Sequence, residues 1–426
     1  MRILLHLLLL CCIPLLANDE IVVHLSSQEQ LMPLFLAPLQ DKESGFDKSY
    51  LSALEKVLRF DFDHNGKTEI STSSKTVYKV ETVITKKIAN IKIIYGESVK
   101  GIEGITLTGE LAKDRQILHR VHDTLFETLF NVRGIAETHI LFTLRNRKSD
   151  NPAEWTNDVW EIDYDGANAR QLTHDGCLCV TPTFVPSKNK GPCRNFLYVS
   201  YKIGQPKIYA GSLEESIGKR LTYLRGNQLM PAVSPTLDKI AFISDITGNP
   251  DLFIQEYSPE KGLEGKPRQI FCASGATQGT PTFSPDGKKL AFVSNKDGTP
   301  RIYILEIPAP GASINQLKPK MISKKTKENT CPAWSPDGKK IAYSAMTSGT
   351  RQIWVYDTTT GEEVQLTDGH GHKENPAWAP NALHLMFNSS TTASSDLFMI
   401  NLNQKKAVKI TSGQGEKRFP AWEPAR

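Results

Sequence analysis

The sequence predicts a small N-terminal α/β domain followed by an all-β six-bladed β-propeller, closed by the C-terminal strand. Three observations carry that expectation. A strand signal led by proline recurs at Pro182, Pro231, Pro281, Pro332, Pro376 and Pro420, at intervals of 44 to 51 residues, within the range of blade-type repeats. Each interval divides into four short apolar runs separated by turns, and four strands make one blade. The two ends of the repeat region also complement each other: a unit without its first strand opens it, and an orphan first strand ends it.

The first residues, MRILLHLLLLCCIPLLANDE, place Arg2 before an apolar run and Ala17 before polar Asn18, Asp19 and Glu20. That is the layout of a secretory signal peptide over residues 1–17, too short for a membrane span. Leu15 is larger than the small residue usual at its position, which leaves the cut uncertain by a few residues. A lipoprotein signal acylated at Cys11 or Cys12 is the competing reading, although Leu8-Leu9-Leu10 lacks the small residue such a site puts before its cysteine. No later segment reads as a transmembrane helix, so no direct membrane insertion is expected. The net charge of +5 is spread along the chain without a basic stripe, which argues against nucleic acid.

Residues 18–136 lack the repeat and form the N-terminal α/β domain. Glu20 to Leu25 reads as a strand. Tyr50 to Leu58 carries apolar residues at helical spacing. Thr76–Val83 and Ile88–Tyr95 alternate like paired strands. Asp114 to Phe130 is an amphipathic helix with Ile117, Leu118, Val121, Leu125 and Leu129 on one face. Gly134 joins this domain to the propeller at residues 137–426.

Within one repeat, Ser284-Pro-Asp-Gly287 is a turn in which proline fixes φ, aspartate caps and glycine supplies positive φ. Leu290–Ser294 and Arg301–Leu305 follow as strands, with Lys320–Ser323 as the outer one. The next repeat gives Lys340–Ser344, Gln352–Asp357 and Val364–Thr367. The opening unit has His139–Thr143, Asp158–Asp163 and Arg170–Thr173, and Pro420-Ala-Trp422 supplies its missing strand. Joining them removes two open sheet edges. Trp334, Trp378 and Trp422 are then expected in the core between blades.

Tests for chemistry come out against catalysis. Asp61-Phe-Asp63-His-Asn65-Gly66 matches half of a calcium loop, but Thr72 stands where the bidentate glutamate belongs, so a polar turn is expected. Gly96-Glu-Ser98-Val-Lys100 fails the Gly-x-Ser-x-Gly pattern at its last position, and no residues follow Trp422 to build a hydrolase domain. His119 and His122 lack a third ligand nearby in sequence and read as surface or core-edge residues; Asp163-Tyr-Asp165-Gly166 reads as a strand-end turn first and, distantly, as a metal site. Of seven cysteines, five follow the signal. Cys177, Cys179 and Cys193 offer one disulfide or none, and no zinc set is evident; Cys272 and Cys331 read as buried small hydrophobes. No enzyme, metal or cofactor is expected.

The run Pro-x-[Phe/Trp]-Ser-Pro-Asp-Gly-Lys-Lys-[Leu/Ile]-Ala-[Phe/Tyr] at Pro281 and Pro332 resembles the repeat of TolB-type propellers. Asp19-Glu-Ile-Val-Val23 resembles that family's extended N-terminal segment. His122 to Leu129, leading through Gly134 into Thr138-His-Ile140, resembles its domain junction, and Lys417 to Pro424 its closing strand. Val185-Pro-Ser-Lys188 and Ala379-Pro-Asn-Ala382 depart from the turn sequence and put those loops in question. The resemblance implies a periplasmic component of the Tol-Pal envelope system that binds the lipoprotein Pal at the propeller channel mouth. It also implies communication with TolA through the N-terminal segment Asp19, Glu20, Ile21, Val22 and Val23, in support of outer-membrane integrity and cell division. Alternatives are a lipid-anchored scaffold of an outer-membrane assembly complex and a non-catalytic relative of propeller hydrolases.

The inner strand of each blade borders the channel, so the residue before each proline is expected to ring one opening: Thr181, Met230, Thr280, Cys331, Asn375 and Phe419. From this ring and its neighbours, Gln278, Thr280, Asn329, Glu374, Asn375 and Arg418 are the expected partner-binding residues, mixed in chemistry as a protein interface requires. The N-terminal segment and the channel mouth are expected at opposite ends of the molecule.

Overall fold

The computed structural model describes residues 22–23, 30–147, 154–188, 191–215, 218–314, 317–404 and 406–424. The expected signal peptide, its cleavage site, and Asp19, Glu20 and Ile21 lie outside the described residues.

Strand β1 (Val22–Val23) precedes the α/β domain, which comprises β2 (Met32–Leu36), β3 (Gln40–Lys42), α1 (Lys48–Asp63), β4 (Thr68–Ile70), β5 (Tyr78–Thr85), β6 (Ile88–Tyr95), β7 (Ser98–Thr106) and α2 (Leu111–Phe130). Its sheet runs β4-β2-β5-β6-β7, with β3 also on β5. Strand β5 alternates buried and half-buried residues along its length, as a sheet with one covered face requires. Helix α1 starts where the Asp47 carboxylate accepts the Tyr50 amide at 2.8 Å, an N-cap that satisfies one orphan donor. Helix α2 has no side-chain cap at Glu110; instead Asp114 accepts the Thr108 and Gly109 amides, both at 2.8 Å. Leu54, Val57, Leu118, Val121 and Leu125 then bury against Val80, Ile91 and Ile93 of the sheet. The parallel strands β2, β3 and β4 are only five, three and three residues long and the exposed edge strand β7 carries no alternation, so the sequence pattern did not announce them.

The chain crosses to the propeller at Gly134. A Cβ there would meet the Asp123 carboxylate at 2.0 Å, and that carboxylate accepts the amides of Ala136 and Glu137 at 3.1 and 3.0 Å. The junction therefore needs glycine for close approach.

The propeller begins with β8 (His139–Arg147), β9 (Trp155–Asp163) and β10 (Arg170–Gln171). Four separate antiparallel sheets of four strands follow. They are β11 to β14 (Cys179–Val185, Asn195–Ser200, Lys207–Ser212, Lys219–Arg220), then β15 to β18 (Gln228–Val233, Lys239–Ser244, Asp251–Ser258, Gly262–Phe271). Next are β19 to β22 (Gln278–Phe283, Lys289–Ser294, Arg301–Glu306, Lys320–Met321) and β23 to β26 (Lys327–Trp334, Lys340–Thr347, Thr350–Asp357, Glu363–Gln365). After β27 (Thr367–Asp368) come β28 to β31 (His372–Trp378, His384–Ser390, Ser395–Asn401, Val408–Lys409) and β32 (Glu416–Trp422). These last strands join the first in one eight-stranded sheet, β10-β9-β8-β32-β30-β29-β28 with β31 on β30. Its halves meet at a single parallel pair, Ser395 with Glu416. The orphan strand β32 pairs antiparallel with β8, so the last described strand completes the first unit.

Apolar side chains from neighbouring sheets pack face to face: Ile254 and Phe271 against Leu290, Phe292 and Tyr303, for example. Trp378 and Trp422 are buried, as expected, and Trp378 Nε1 donates to the Ala333 carbonyl of the preceding sheet at 3.0 Å. Trp334 is half-buried, with Nε1 on the Gly338 carbonyl. The turn at Ala379-Pro-Asn-Ala382 keeps its form without glycine: the Ala382 amide reaches the Ala379 carbonyl at 3.0 Å, as Gly287 reaches Ser284 at 2.9 Å.

Several expectations need correction. His119 and His122 are neither surface nor core-edge residues; both are 2% exposed. Helix α2 buries Leu118, Val121 and Leu125 in the core of the α/β domain and His119 against Asp61 and Asp165, and leaves Lys113, Gln116, Arg120, Thr124 and Glu127 exposed. Cys272 is exposed and Cys331 half-buried, where both were expected buried, and all five described cysteines are unbridged. At the calcium-like run, Asp61 belongs to α1 and is fully buried. Asp63 accepts the Ile70 amide and Asn65 those of Lys67 and Thr68, each at 2.9 Å.

The α/β domain docks on one end of the propeller. Gln404 Nε2 donates to the Asp63 carbonyl at 2.8 Å and Asn403 Nδ2 to the Gly66 carbonyl at 3.0 Å. The loops before β29 and after β30 therefore mark the docked face. The loops before β28 and after β29 lie at the opposite end of the same strands.

Candidate partner-binding site

The six inner strands β11, β15, β19, β23, β28 and β32 share one irregularity. Each skips register by one residue against its neighbour, directly before its proline. The residue at the skip has positive φ in all six: Thr181 at 49°, Met230 at 54°, Thr280 at 42°, Cys331 at 52°, Asn375 at 55° and Phe419 at 52°. A non-glycine residue there is strained by roughly 1–2 kcal/mol, and a bulge re-aims a side chain. All six, with their prolines, line one cavity of about 160 Å³ at the channel axis. The ring expected from the sequence is therefore present.

The bulge also decides which neighbours reach the channel. Normally residues two apart on a strand share a face, and an inserted residue breaks that rule. The residues two before the bulge tip, namely Cys179, Gln228, Gln278, Asn329, Lys373 and Lys417, are all buried. They bond inward to the loops. Gln228 Nε2 donates to the Arg225 carbonyl at 2.9 Å, Lys373 Nζ to Gly369 at 2.7 Å and Lys417 Nζ to Gly413 at 2.6 Å. Gln278 and Asn329 belong to this row, so their expected place at the mouth is corrected. Gln278 Oε1 accepts the Ser294 hydroxyl at 2.7 Å, and Asn329 Oδ1 that of Thr326 at 2.6 Å.

The row one before the tip, which holds Glu374 and Arg418, is half-buried, as are Thr280 and Asn375 at the tip. Glu374 faces Arg351 at 3.4 Å, and Arg418 faces Glu416 at 3.1 Å. Asn375 Oδ1 accepts the Cys331 thiol at 3.1 Å and its Nδ2 donates to Asn388 at 2.7 Å. Burial pushes the Cys331 thiol up to about 11, so it stays protonated and unreactive at neutral pH.

The rim around this mouth carries a feature that residue-type patterns do not reveal. Trp155, Leu178, Ile203, Tyr223 and Ile246 are the exposed large hydrophobics among the described propeller residues, from 37% exposed at Trp155 to 76% at Tyr223. By strand order every one lies on the mouth end: in the loops before β11 and β15, in the hairpins β12–β13 and β16–β17, and at the start of β9. Arg145 and Arg147 cover Trp155 with centroid distances of 4.3 and 4.5 Å, and Arg220 covers Tyr223 at 4.7 Å. Apolar side chains gathered on one end and edged with guanidinium groups fit a protein interface.

The N-terminal segment meets the same end. Val22 and Val23 pair antiparallel with Asp368 and Thr367 of β27, in the connection that leads into β28. The expectation that segment and mouth occupy opposite ends is therefore corrected: they share one rim. Asp19, Glu20 and Ile21 fall outside the described residues.

A family profile described as "TolB beta propeller domain" matches residues 126–426. A "Protein TolB homolog" of Protochlamydia amoebophila is 47% identical over 384 residues, covering 84% of this chain and 82% of that one. The protein of the same name from Chlamydia trachomatis serovar L2 is 38% identical over 372 residues, covering 86% and 84%. The crystal structure of TolB from Acinetobacter baumannii superposes with a TM-score of 0.75 over 95% of this chain and all of that one, at 20% identity. That last likeness concerns the fold.

Proposed function

The chain belongs to the TolB family of β-propeller proteins, and on that premise we propose that it is the periplasmic partner-binding component of a Tol-Pal-type envelope complex. As a family member it is a non-catalytic propeller protein. Our reading divides it into a signal peptide at residues 1–17, an α/β domain at 18–136 and a propeller at 137–426. The propeller has six blades: the four separate sheets, and the eight-stranded sheet taken as two blades joined by one bridging pair.

The mouth end binds a Pal-type lipoprotein, and the N-terminal segment Asp19, Glu20, Ile21, Val22 and Val23 binds a TolA-type inner-membrane protein. The protein thereby links the two membranes, supporting outer-membrane integrity and cell division. The observation that carries this reading is the gathering of Trp155, Leu178, Ile203, Tyr223 and Ile246 on the end that holds the channel mouth. Pairing of Val22–Val23 with β27 beside that mouth supports competition between the segment's own seat and an incoming partner. Among the described residues no helix is long and apolar enough to cross a membrane.

The reading is tested by crosslinking and pull-down from intact cells. A variant with Glu374→Arg and Arg418→Glu, folded by circular dichroism, is expected to lose most of its Pal-type partner. Full retention of that partner contradicts the placement of the site.

A further inference from the structure

We infer that the junction between the α/β domain and the propeller holds a divalent transition-metal site of the zinc class, formed by His119, Asp163 and Asp165 with His139 beside them. Ligand atoms of His119, Asp163 and Asp165 all lie within 4.8 Å of one another, although the residues come from α2, from the end of β9 and from the turn after it. Gly166 gives that turn its shape. Its φ is 88°, and a Cβ would strike the Ile410 carbonyl oxygen at 2.2 Å.

The imidazole orientations make this more than an acidic turn. His119 is 2% exposed, and its Nδ1 sits 2.9 and 3.0 Å from the two Asp61 oxygens. Asp61 is itself held by the Tyr164 hydroxyl at 2.6 Å. With Nδ1 donating to Asp61, Nε2 faces Asp165 at 3.4 Å and makes no hydrogen bond. His139 repeats the arrangement: Nδ1 lies 3.1 Å from Glu423, and Nε2 lies 3.5 Å from Asp163. Two imidazoles, each backed by a carboxylate, thus turn Nε2 toward one acidic turn. Metal-ligating histidines are oriented by such partners. A cavity of about 210 Å³ lined by His119, His139 and Asp163 leads to the site.

Charge points the same way. Among the described residues, Asp61, Asp163 and Asp165 gather here, an excess of negative charge that the Arg115 guanidinium on Asp165 offsets only in part. A divalent cation offsets the rest. Imidazole with carboxylate, and no thiolate, favours zinc-class ions over calcium or magnesium. The metal clips α2 to the propeller, so loading strengthens domain docking through linkage.

The test uses the full chain stripped with chelator and titrated with cobalt(II) as the probe. The expected result is one equivalent bound, visible d–d absorption without a thiolate-to-cobalt charge-transfer band, and a higher melting temperature. His139→Gln and Asp163→Asn, each checked by circular dichroism, are expected to weaken binding roughly tenfold or more. Absence of binding overturns the inference, as does unchanged affinity in both variants. A charge-transfer band would place the ion instead at Asp175, Cys177 and Cys179, which also lie close together, and would equally overturn it.

Discussion

Two residues hold the same backbone and are expected to respond in opposite directions when changed. Leu237 and Ala382 occupy the last position of equivalent turns, with φ of 57° and 56°, where Gly287 and Gly338 stand in other repeats. The left-handed conformation costs a non-glycine residue roughly 1–2 kcal/mol. Ala382→Gly relieves that strain for little loss of packing and should stabilise the protein by about 0.5–1 kcal/mol. Leu237 packs with Ile240, Phe242 and Tyr257, so Leu237→Gly should destabilise it by about 2–4 kcal/mol despite the relief. Denaturant midpoints of the two variants check both signs.

His384 belongs to the same scale. It is fully buried where α1 meets the propeller, its Nδ1 3.0 Å from Asn381 Nδ2, with Trp422 beside its ring and His64 the titratable group that faces it. Burial lowers its pKa to about 3, against about 6.5 in an unfolded chain. A depressed pKa contributes stability that is present above the unfolded value and lost as pH falls toward the folded one. Between pH 7.5 and 5.5 this one group should remove about 1.4 kcal/mol. Wild type should therefore lose that much more stability over the interval than His384→Gln, as read by chemical denaturation; equal losses would contradict it.

At the scale of elements, the bulged inner strand explains what the sequence could and could not reveal. Proline, turn residues and apolar alternation are local, so the repeat, its strands and its closure by β32 were legible from Pro182 to Trp422. The ring of tips was legible too, because proline marks each tip directly. The rows behind the tips were not: one inserted residue moves a side chain from one face to the other. That is why Gln278 and Asn329 turned out buried, whereas Glu374 and Arg418 are half-buried. The apolar rim was likewise hidden, since Leu178, Ile203, Tyr223 and Ile246 look like ordinary loop residues until strand order places them at one end.

Closure makes its own prediction. Trp422 is 6% exposed on β32, and its Nε1 donates to Thr138 at 2.8 Å. Trp422→Ala should cost about 3–5 kcal/mol and expose the edge of β8, with self-association on mild heating visible by light scattering. Unaltered melting and a monomer throughout would show that β32 is not needed for closure.

For the whole molecule, the two ends of the propeller have separate tasks. One end carries the α/β domain, fastened through Asp61, His119, Arg115 and Asp165 and by the contacts of Gln404 and Asn403 with the end of α1 and the turn after it. The docking of that domain was not legible in the sequence, because its charged groups come from segments far apart in the chain. The other end carries the channel mouth, the apolar rim and the seat of Val22–Val23 on β27. Under the proposed function, a partner approaching that mouth would meet the N-terminal segment directly, without a signal crossing the ring.

The central claim is that the mouth end, not the docked end, recognises the partner. It is tested most directly by calorimetric titration of the soluble domain of the cognate Pal-type lipoprotein into three folded proteins: wild type, Ile203→Asp with Tyr223→Asp, and Lys288→Glu with Lys339→Glu. The last pair stands exposed in the turns after β19 and β23, on the docked end. Affinity should fall roughly tenfold or more for the rim variant and stay at the wild-type value for the docked-end variant. Wild-type affinity in the rim variant, with loss in the docked-end variant, would contradict the account.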